Sequence, residues 1–267
     1  MIRSPAVAGR FYPADPPALA CEIDRYTAAT IVKSRARACL VPHAGYMYSG
    51  HVAGAVYGSV EIPSRCVLIG PRHFPRGAPM SILTEGAWAT PFGEARIDSP
   101  LATRIARECP LLREDPVAHQ AEHSLEVHIP FLQRLVPDFL FVPIVLAGDR
   151  FGALEDLGHG LARALTEPAG PFLLIISSDM NHYESDDVTR MKDQKAIGRI
   201  LAVDPQGLYD TVRNEEISMC GYAAAVAGLV ALNDLGATNA KLVRYATSGD
   251  VTGDRDQVVG YAGVVFP

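Results

Sequence analysis

The sequence lacks paired cysteines, long hydrophobic runs and an apolar leader. Its five cysteines are widely spaced and form no CxxC motif. An odd number without close spacing argues against a disulfide framework and is typical of reduced thiols in the cytosol. No uninterrupted apolar segment approaches the roughly 20 residues of a transmembrane helix, and the N-terminal residues contain no apolar core of a signal peptide. We therefore expect a soluble, cytoplasmic protein.

The chain also has fewer basic than acidic residues. Lysine and arginine total 24 against 30 acidic residues, which gives a net charge of -6 and a pI near 5.7. Without a basic run, the sequence gives no electrostatic reason to expect nucleic acid or an anionic membrane as a partner. With 267 residues and 48% hydrophobic content, the chain can form one substantial core, although its length alone also allows two domains.

Continuous apolar runs alternate with segments that have helical character. Such runs suit strands that are covered on both faces, and the alternation predicts an α/β fold with a mainly parallel sheet flanked by helices. The predicted strands span residues 38–41, 65–69, 80–83, 139–146, 172–177, 241–246 and 258–266. The predicted helices span residues 16–29, 50–60, 100–109, 124–136, 154–165, 187–203, 205–214 and 222–235.

Short polar clusters follow several of the apolar runs. In an open α/β sheet, the carboxyl ends of parallel strands share one edge, and ligands bind in the crevice there. Histidines, an aspartate and a cysteine that are distant in sequence can therefore meet in one pocket, either as a metal site or as a nucleophile site. The clusters occupy residues 42–46, 70–73, 122–124, 178–182 and 219–221.

Two histidines follow the first two sheet strands in the same way. A single strand-end histidine most often bonds to the backbone, but the repeated placement of His43 and His73 favours metal ligation by neutral imidazole. Asp179 and His182 lie three residues apart after a later strand. That spacing suits a base, an acid or a ligand, and the alternative is a turn cap beside an exposed histidine.

The segment around residue 123 resembles a zinc-binding HExxH helix only superficially, because Ser124 and not glutamate follows His123. We interpret His123 as a pocket residue and His128 as a surface residue. Cys220 precedes a helix rich in small residues, where the helix dipole favours the thiolate. The alternative for Cys220 is a buried thiol under a close helix contact. The polar, glycine-rich loop at 247–254 is expected to shape the rim of the pocket.

Taken together, these motifs resemble the MEMO family, which in prokaryotes carries the label AmmeMemoRadiSam system protein B. The resemblance covers essentially the whole chain and favours one MEMO-like domain over residues 1–267. It implies the fold of the catalytic subunit of class III extradiol dioxygenases, which bind Fe(II) through two histidines and a glutamate. The matching segments are AGRFYP (8–13), PHAGYMYSG (42–50), GPRH (70–73), TPFGEARID (90–98), EHSLEVHIPFL (122–132), SSDMNHY (177–183), MCGY (219–222) and TSGDVTGDRDQVVGYAG (247–263).

The resemblance also implies roles for individual residues. His43, His73 and Cys220 match the metal ligands of MEMO proteins, and His182 stands at the position of the dioxygenase acid/base histidine. Asp179 is expected in the same pocket. A thiolate in place of the carboxylate softens the ligand set and shifts its preference toward Cu(I), zinc or iron with strong thiolate donation. We expect Fe(II) first and copper second, with zinc as a further option.

The leading functional hypothesis is a non-haem iron or copper oxidoreductase, similar to the dioxygenases, that acts on an unknown small substrate. In this hypothesis His182, Asp179 and His123 are the catalytic side chains. One alternative is a binding module without catalysis that captures a peptide or a metabolite in the metal pocket. Another is iron or copper handling without turnover. The sequence leaves the oligomeric state open, with a homo-oligomer as one option.

Overall fold

The computed structural model describes residues 1–28, 33–148, 150–166 and 170–267. Within these ranges, no helix combines the length and the hydrophobicity that crossing a bilayer requires.

The strands are β1 Ile2–Arg3, β2 Ala38–Val41, β3 Arg65–Pro71, β4 Met80–Ile82, β5 Ala87–Thr90, β6 Gly93–Ile97, β7 Arg113–Glu114, β8 Leu140–Leu146, β9 Leu173–Ser177, β10 His182–Glu184, β11 Lys241–Thr247 and β12 Val258–Phe266. The helices are α1 Pro16–Thr27, α2 Tyr46–Ser59, α3 Ser99–Glu108, α4 Pro116–Gln120, α5 Ile129–Leu135, α6 Phe151–Leu165, α7 Asp186–Leu201, α8 Pro205–Asn214, α9 Tyr222–Asp234 and α10 Gly249–Thr252, with a short 3₁₀ turn at Glu126–His128.

All of these strands join one mixed sheet with a parallel centre. Along its main path the order is β1-β5-β6-β8-β3-β9-β2-β12-β10. Neighbours from β8 to β2 run parallel, whereas β12 is antiparallel to β2. Strand β9 is inserted between β2 and β3, although those two are consecutive in the central sheet along the chain. The carboxyl ends of β2, β9 and β3 therefore meet at one edge of the sheet.

The central strands are buried because helices cover them. Helix α9 packs between α6 and strands β3, β8 and β9, and its residues from Ala223 to Leu232 are all buried. A helix that is apolar on every side suits such an enclosed position. Gly228 permits the close approach to β9, since a Cβ atom there would lie 2.5 Å from Cδ1 of Ile176.

The predicted α/β class is confirmed, and each predicted strand is present with small shifts at its ends. The sequence prediction missed the short strands β1, β5, β6, β7 and β10 and the helices α4 and α10, all of which have too few residues to show a clear period. Helix α1 ends at Thr27, and the predicted end at residue 29 lies outside the described ranges. The predicted helix 124–136 is wrong in its first half, where the chain forms loop and 3₁₀ turn before α5.

A buried ion pair holds the N-terminal segment against that irregular stretch. Arg3 Nη1 lies 2.7 Å from Glu126 Oε2, and both side chains are almost completely buried. The same carboxylate accepts hydrogen bonds from the backbone N–H groups of Ala6 and Val7 and from the Tyr12 hydroxyl. Residues 3–12 are thereby fixed to the segment that carries His123.

We expect Arg3→Met to lower the free energy of unfolding by about 3 to 5 kcal/mol, because Glu126 stays buried without its cation. Arg134→Met is the matched control. The Arg134–Asp24 pair has the same 2.7 Å separation but is about half exposed, and exposed pairs contribute about 1 kcal/mol or less. Urea unfolding of the two variants measures both effects, and equal losses would contradict a structural role for the buried pair.

Candidate metal centre

The loop after β2 is fastened to the loop after β9. Pro42 ends the strand, and the backbone N–H of His43 then donates to Asp179 Oδ1 at 2.7 Å. The N–H of Ala44 donates to the same oxygen at 3.3 Å. Burial raises the pKa of Asp179 above its usual range. The carboxyl group predicted to work in the pocket thus also positions the backbone of His43.

Ser177, the last residue of β9, fixes the tautomer of His43. The only proton of its hydroxyl is donated to the carbonyl oxygen of Ser124 at 2.6 Å, since a carbonyl can only accept. Ser177 Oγ must then accept from His43 Nδ1, 2.7 Å away. Burial, followed by the neighbouring histidines, holds the pKa of His43 well below its usual value. His43 is therefore a neutral imidazole with a lone pair on Nε2.

Glu122 fixes the tautomer of His73 in a similar way. The Nδ1 atom of His73 lies 2.8 Å from Glu122 Oε1, which also accepts from the backbone N–H groups of His123 and Ser124. Burial alone would raise the pKa of Glu122, but the hydrogen bond from His73 outweighs it, and the pKa falls to about 2. An ionised Glu122 keeps the proton of His73 on Nδ1 and leaves Nε2 free to bind a ligand.

His123 completes a group of three converging imidazoles. The His123 ring is stacked on the His73 ring, with centroids 4.5 Å apart. It also packs against the Phe11 ring, with centroids 4.9 Å apart. Burial lowers the pKa of His123 to about 4. Each of His43, His73 and His123 offers one ring nitrogen, and these three atoms lie within 4.8 Å of one another. Imidazole nitrogens in this arrangement fit iron, copper or zinc.

Cys220 adjoins this group at His43. Its Sγ atom lies 3.2 Å from His43 Nε2, and because that nitrogen carries no proton, the thiol donates to it. The surroundings of Cys220 disfavour the expected thiolate. Burial, aided by the charge of Asp179, raises the pKa of Cys220 well above its usual value. The dipole of α9 does not offset this burial, since the helix begins only at Tyr222.

His182 lies in the same pocket as the three histidines. Its Nδ1 donates to the carbonyl oxygen of Ser218 at 2.9 Å, and its backbone N–H donates to the Ser218 hydroxyl at 2.7 Å. With the proton fixed on Nδ1, Nε2 can accept a proton from a ligand. The pocket has a volume of about 600 Å³. Ser248, Thr252 and Asp254 form part of its wall, as expected for the 247–254 loop.

One histidine was misplaced by the sequence reasoning. His128, predicted at the surface, is 1% exposed. Its Nε2 donates to Ser177 Oγ at 2.8 Å and its Nδ1 accepts from the Tyr57 hydroxyl at 2.9 Å. Burial lowers the pKa of His128 to about 3, so the ring is neutral. The roles of Glu122 and Ser177 were also missed, although both lie inside the matching EHS and SSD segments.

Comparisons with known proteins identify the family and a similar fold. The family model for Memo-like proteins matches residues 3–265. MEMO1 family proteins from Methanothermobacter thermautotrophicus and Aquifex aeolicus are 42% and 41% identical, with 98% and 99% of this chain and 99% of each relative covered. The chain therefore belongs to the Memo-like family. The crystal structure of an uncharacterized protein from Escherichia coli K12 has a similar fold, with a TM-score of 0.58 and 13% identity over 85% of this chain and 99% of that one.

A buried acid supports the segment that carries His182. Asp193 Oδ1 accepts from the backbone N–H of Asn181 at 2.9 Å, and Oδ2 accepts from the Tyr245 hydroxyl at 2.7 Å. Burial outweighs these hydrogen bonds and raises the pKa of Asp193 to about 7. The unfolded chain loses this proton near pH 4. Between about pH 4 and pH 7 the folded state therefore binds more protons, and stability falls as the pH rises through this window.

We expect Asp193→Asn to reduce the loss of stability between about pH 4 and pH 7, because the amide has no proton to lose in this range. The effect on the free energy of unfolding is at most about 4 kcal/mol, the equivalent of a three-unit difference in pKa. Urea unfolding at about pH 4, 5.5 and 7 measures it relative to the unaltered protein. Asp187→Asn, at an exposed position of the same helix, makes the same change in charge. If both variants followed the unaltered profile in parallel, the buried acid would have no such effect.

Proposed function

We propose that the protein is a non-haem metal oxidoreductase that uses Fe(II), or copper as the second choice, on a small substrate. One observation carries the proposal: three imidazoles converge at the carboxyl edge of the sheet, and buried partners fix the tautomers of His43 and His73. In each of these two, Nδ1 is held by a hydrogen bond, so Nε2 is the nitrogen left for a ligand. A site prepared in this way binds a cation without rearranging the ring tautomers.

His43 and His73 are the two proposed ligands that the hydrogen bonds prepare, and the third position has two candidates. Cys220 is the ligand that the family resemblance implies, and it contacts His43 directly. His123 belongs to the group of nitrogens within 4.8 Å of one another. Cys220 would have to lose its thiol proton to ligate, which makes its binding dependent on pH. A thiolate would also favour softer ions than a third imidazole does.

Fe(II) with open coordination positions would supply binding and activation of O₂ or of a chelating substrate. The side chains around it would handle protons and orientation. His182, with its proton held on Nδ1 by Ser218, would accept a proton from the substrate at Nε2. Asp179 would keep the His43 loop in place through its two backbone hydrogen bonds. His123 would either ligate or form the wall of the pocket beside Phe11.

Metal handling without turnover is the second candidate function, and the thiol of Cys220 beside His43 favours it, because sulfur and imidazole together suit Cu(I). Oxygen uptake by the anaerobically prepared Fe(II) protein, after addition of a catechol and air, separates the two. Turnover supports the oxidoreductase. Stoichiometric binding of metal and catechol without oxygen uptake supports metal handling.

We expect His43→Ala to abolish tight metal binding, because two remaining ligands rarely hold a labile divalent ion. His182→Ala should keep its metal and, if the protein turns over, lose activity by roughly 10²- to 10⁴-fold. His159→Ala, an exposed histidine paired with Asp234, is the control and should change neither property. Metal analysis of protein purified without an affinity tag decides between these roles. Loss of metal in His182→Ala with retention in His43→Ala would reverse them.

The third ligand can be identified by substituting Co(II) as a spectroscopic probe. If Cys220 ligates, the cobalt protein should show a thiolate-to-metal charge-transfer band in the near ultraviolet that disappears in Cys220→Ser and persists in His123→Ala. If His123 ligates instead, no such band should form, and His123→Ala should be the variant with the weaker cobalt affinity. Cys109→Ser, a buried thiol outside the pocket, controls for the loss of a cysteine as such.

A further inference from the structure

Tyr183 has a backbone conformation that an aromatic residue rarely adopts. Its φ angle is +62°, in the left-handed region that favours glycine. The reason lies in the pairing of β10 with β12. His182 pairs with Val259 and Glu184 pairs with the preceding residue, Val258, so Tyr183 is the extra residue of a bulge. Bulges near functional sites re-aim a side chain, and glycine is the usual residue where the bulge is left-handed.

Nothing in the described part of the protein compensates for this strain. The Tyr183 side chain is 74% exposed, so burial of the ring contributes little. Its hydroxyl has no hydrogen-bond partner among the described residues. The bulge itself orients His182, but glycine at the next position would serve that purpose with less strain. A strained, exposed aromatic side chain at a pocket points to a role in contacts that the free protein does not make.

The surroundings of Tyr183 define the kind of ligand that it would contact. The ring lines the pocket that holds the converging histidines, and Tyr48, Tyr261 and Phe11 also face that pocket. Aromatic rings attract one another through offset or edge-to-face packing. A planar ligand that reaches the histidines would lie among these rings. The Tyr183 ring also lies beside the His182 ring, and the two centroids are 5.6 Å apart.

Charge in the pocket narrows the ligand class further. Among the described residues that line it there is no lysine or arginine, whereas Asp179 and Asp254 both contribute carboxyl groups. Asp254 is exposed and lines the same pocket as the histidines. A negatively charged substituent that points away from the metal would find no cationic side chain among these lining residues and would be repelled by Asp254. A neutral or cationic group would be accepted.

We propose that Tyr183 is a ligand-binding residue whose ring packs on a planar aromatic ligand at the histidine cluster, and that the pocket selects aromatic ligands without negative charge. This inference rests on the proposed function in that the ligand is taken to reach the metal centre. It adds to that function the class of the ligand and the residue that recognises its ring.

The test uses three catechols whose substituents differ in charge: dopamine (cationic), 4-methylcatechol (neutral) and 3,4-dihydroxybenzoate (anionic). Binding is measured by calorimetry without oxygen, both on Zn(II)-loaded and on metal-free protein. We expect dopamine and 4-methylcatechol to bind the unaltered protein more tightly than the benzoate. Tyr183→Ala and Tyr183→Gly should each weaken dopamine binding about three- to tenfold, the usual contribution of an aromatic pair.

Thermal unfolding tests the strain separately. Tyr183→Gly should melt a few degrees higher than Tyr183→Ala, since only glycine relieves the left-handed conformation. Asp138, exposed and also at positive φ (+55°), lies next to β8 at the opposite end of the sheet from the site. Asp138→Gly and Asp138→Ala should show a difference of the same sign and leave catechol binding unchanged.

The outcomes separate the two proposals. Equal dopamine binding by unaltered and Tyr183→Ala protein overturns the role of Tyr183, and tighter binding of the benzoate overturns the selection by charge. If no catechol binds, both fail. If metal still binds in these cases, the metal centre itself is not contradicted. If no metal binds, the proposed function fails, and the titrations of metal-free protein still decide whether Tyr183 and the charge of the pocket select the ring.

Discussion

The single proton of the Ser177 hydroxyl determines the direction of the buried hydrogen bonds around the candidate metal centre. Because that proton goes to the Ser124 carbonyl, both His43 and His128 must donate to Ser177 Oγ. The Tyr57 hydroxyl then donates to the other nitrogen of His128. One serine at the end of β9 thereby connects β2, α2 and the loop before α5. Without this oxygen, two ring N–H groups would be buried without an acceptor, at a cost of about 1 to 3 kcal/mol each.

Two buried glutamates shape the other side of the site. Glu122 accepts hydrogen bonds from His73 and from the two backbone N–H groups that follow it. Glu126 accepts hydrogen bonds from Arg3 and from the backbone N–H groups of residues 6 and 7. Between these two glutamates the chain forms a loop, followed by a short 3₁₀ turn at Glu126–His128. The resulting irregular segment lets His123 stack on His73. The N-terminal residues close over it, with Phe11 against the His123 ring.

The sequence was sufficient for the central strands and for the side chains that follow them, because continuous apolar runs and strand-end polar clusters are both local signals. His43, His73, His123, Asp179 and His182 were all expected in one pocket, and all line it. The misplacement of His128 has a different cause. His128 was expected at the surface, whereas the chain forms a 3₁₀ turn at Glu126–His128 and buries the ring between Ser177 and Tyr57. The roles of Ser177 and Glu122 depend on hydrogen bonds between residues 53 and 49 positions apart, which no local pattern contains.

The order of strands in the sheet has a consequence for synthesis on the ribosome. His43 is made early, but Ser177, which fixes its tautomer, comes 134 residues later, and Cys220 comes 177 residues later. Strand β2 cannot take its place in the sheet before β9 has been made, because β9 separates it from β3. At a translation rate of roughly 5–20 residues per second, the first histidine waits about 10 to 35 seconds for the last of these partners. The nascent chain therefore carries scattered imidazoles, and the hydrogen bonds that fix their tautomers form only after β9 has emerged.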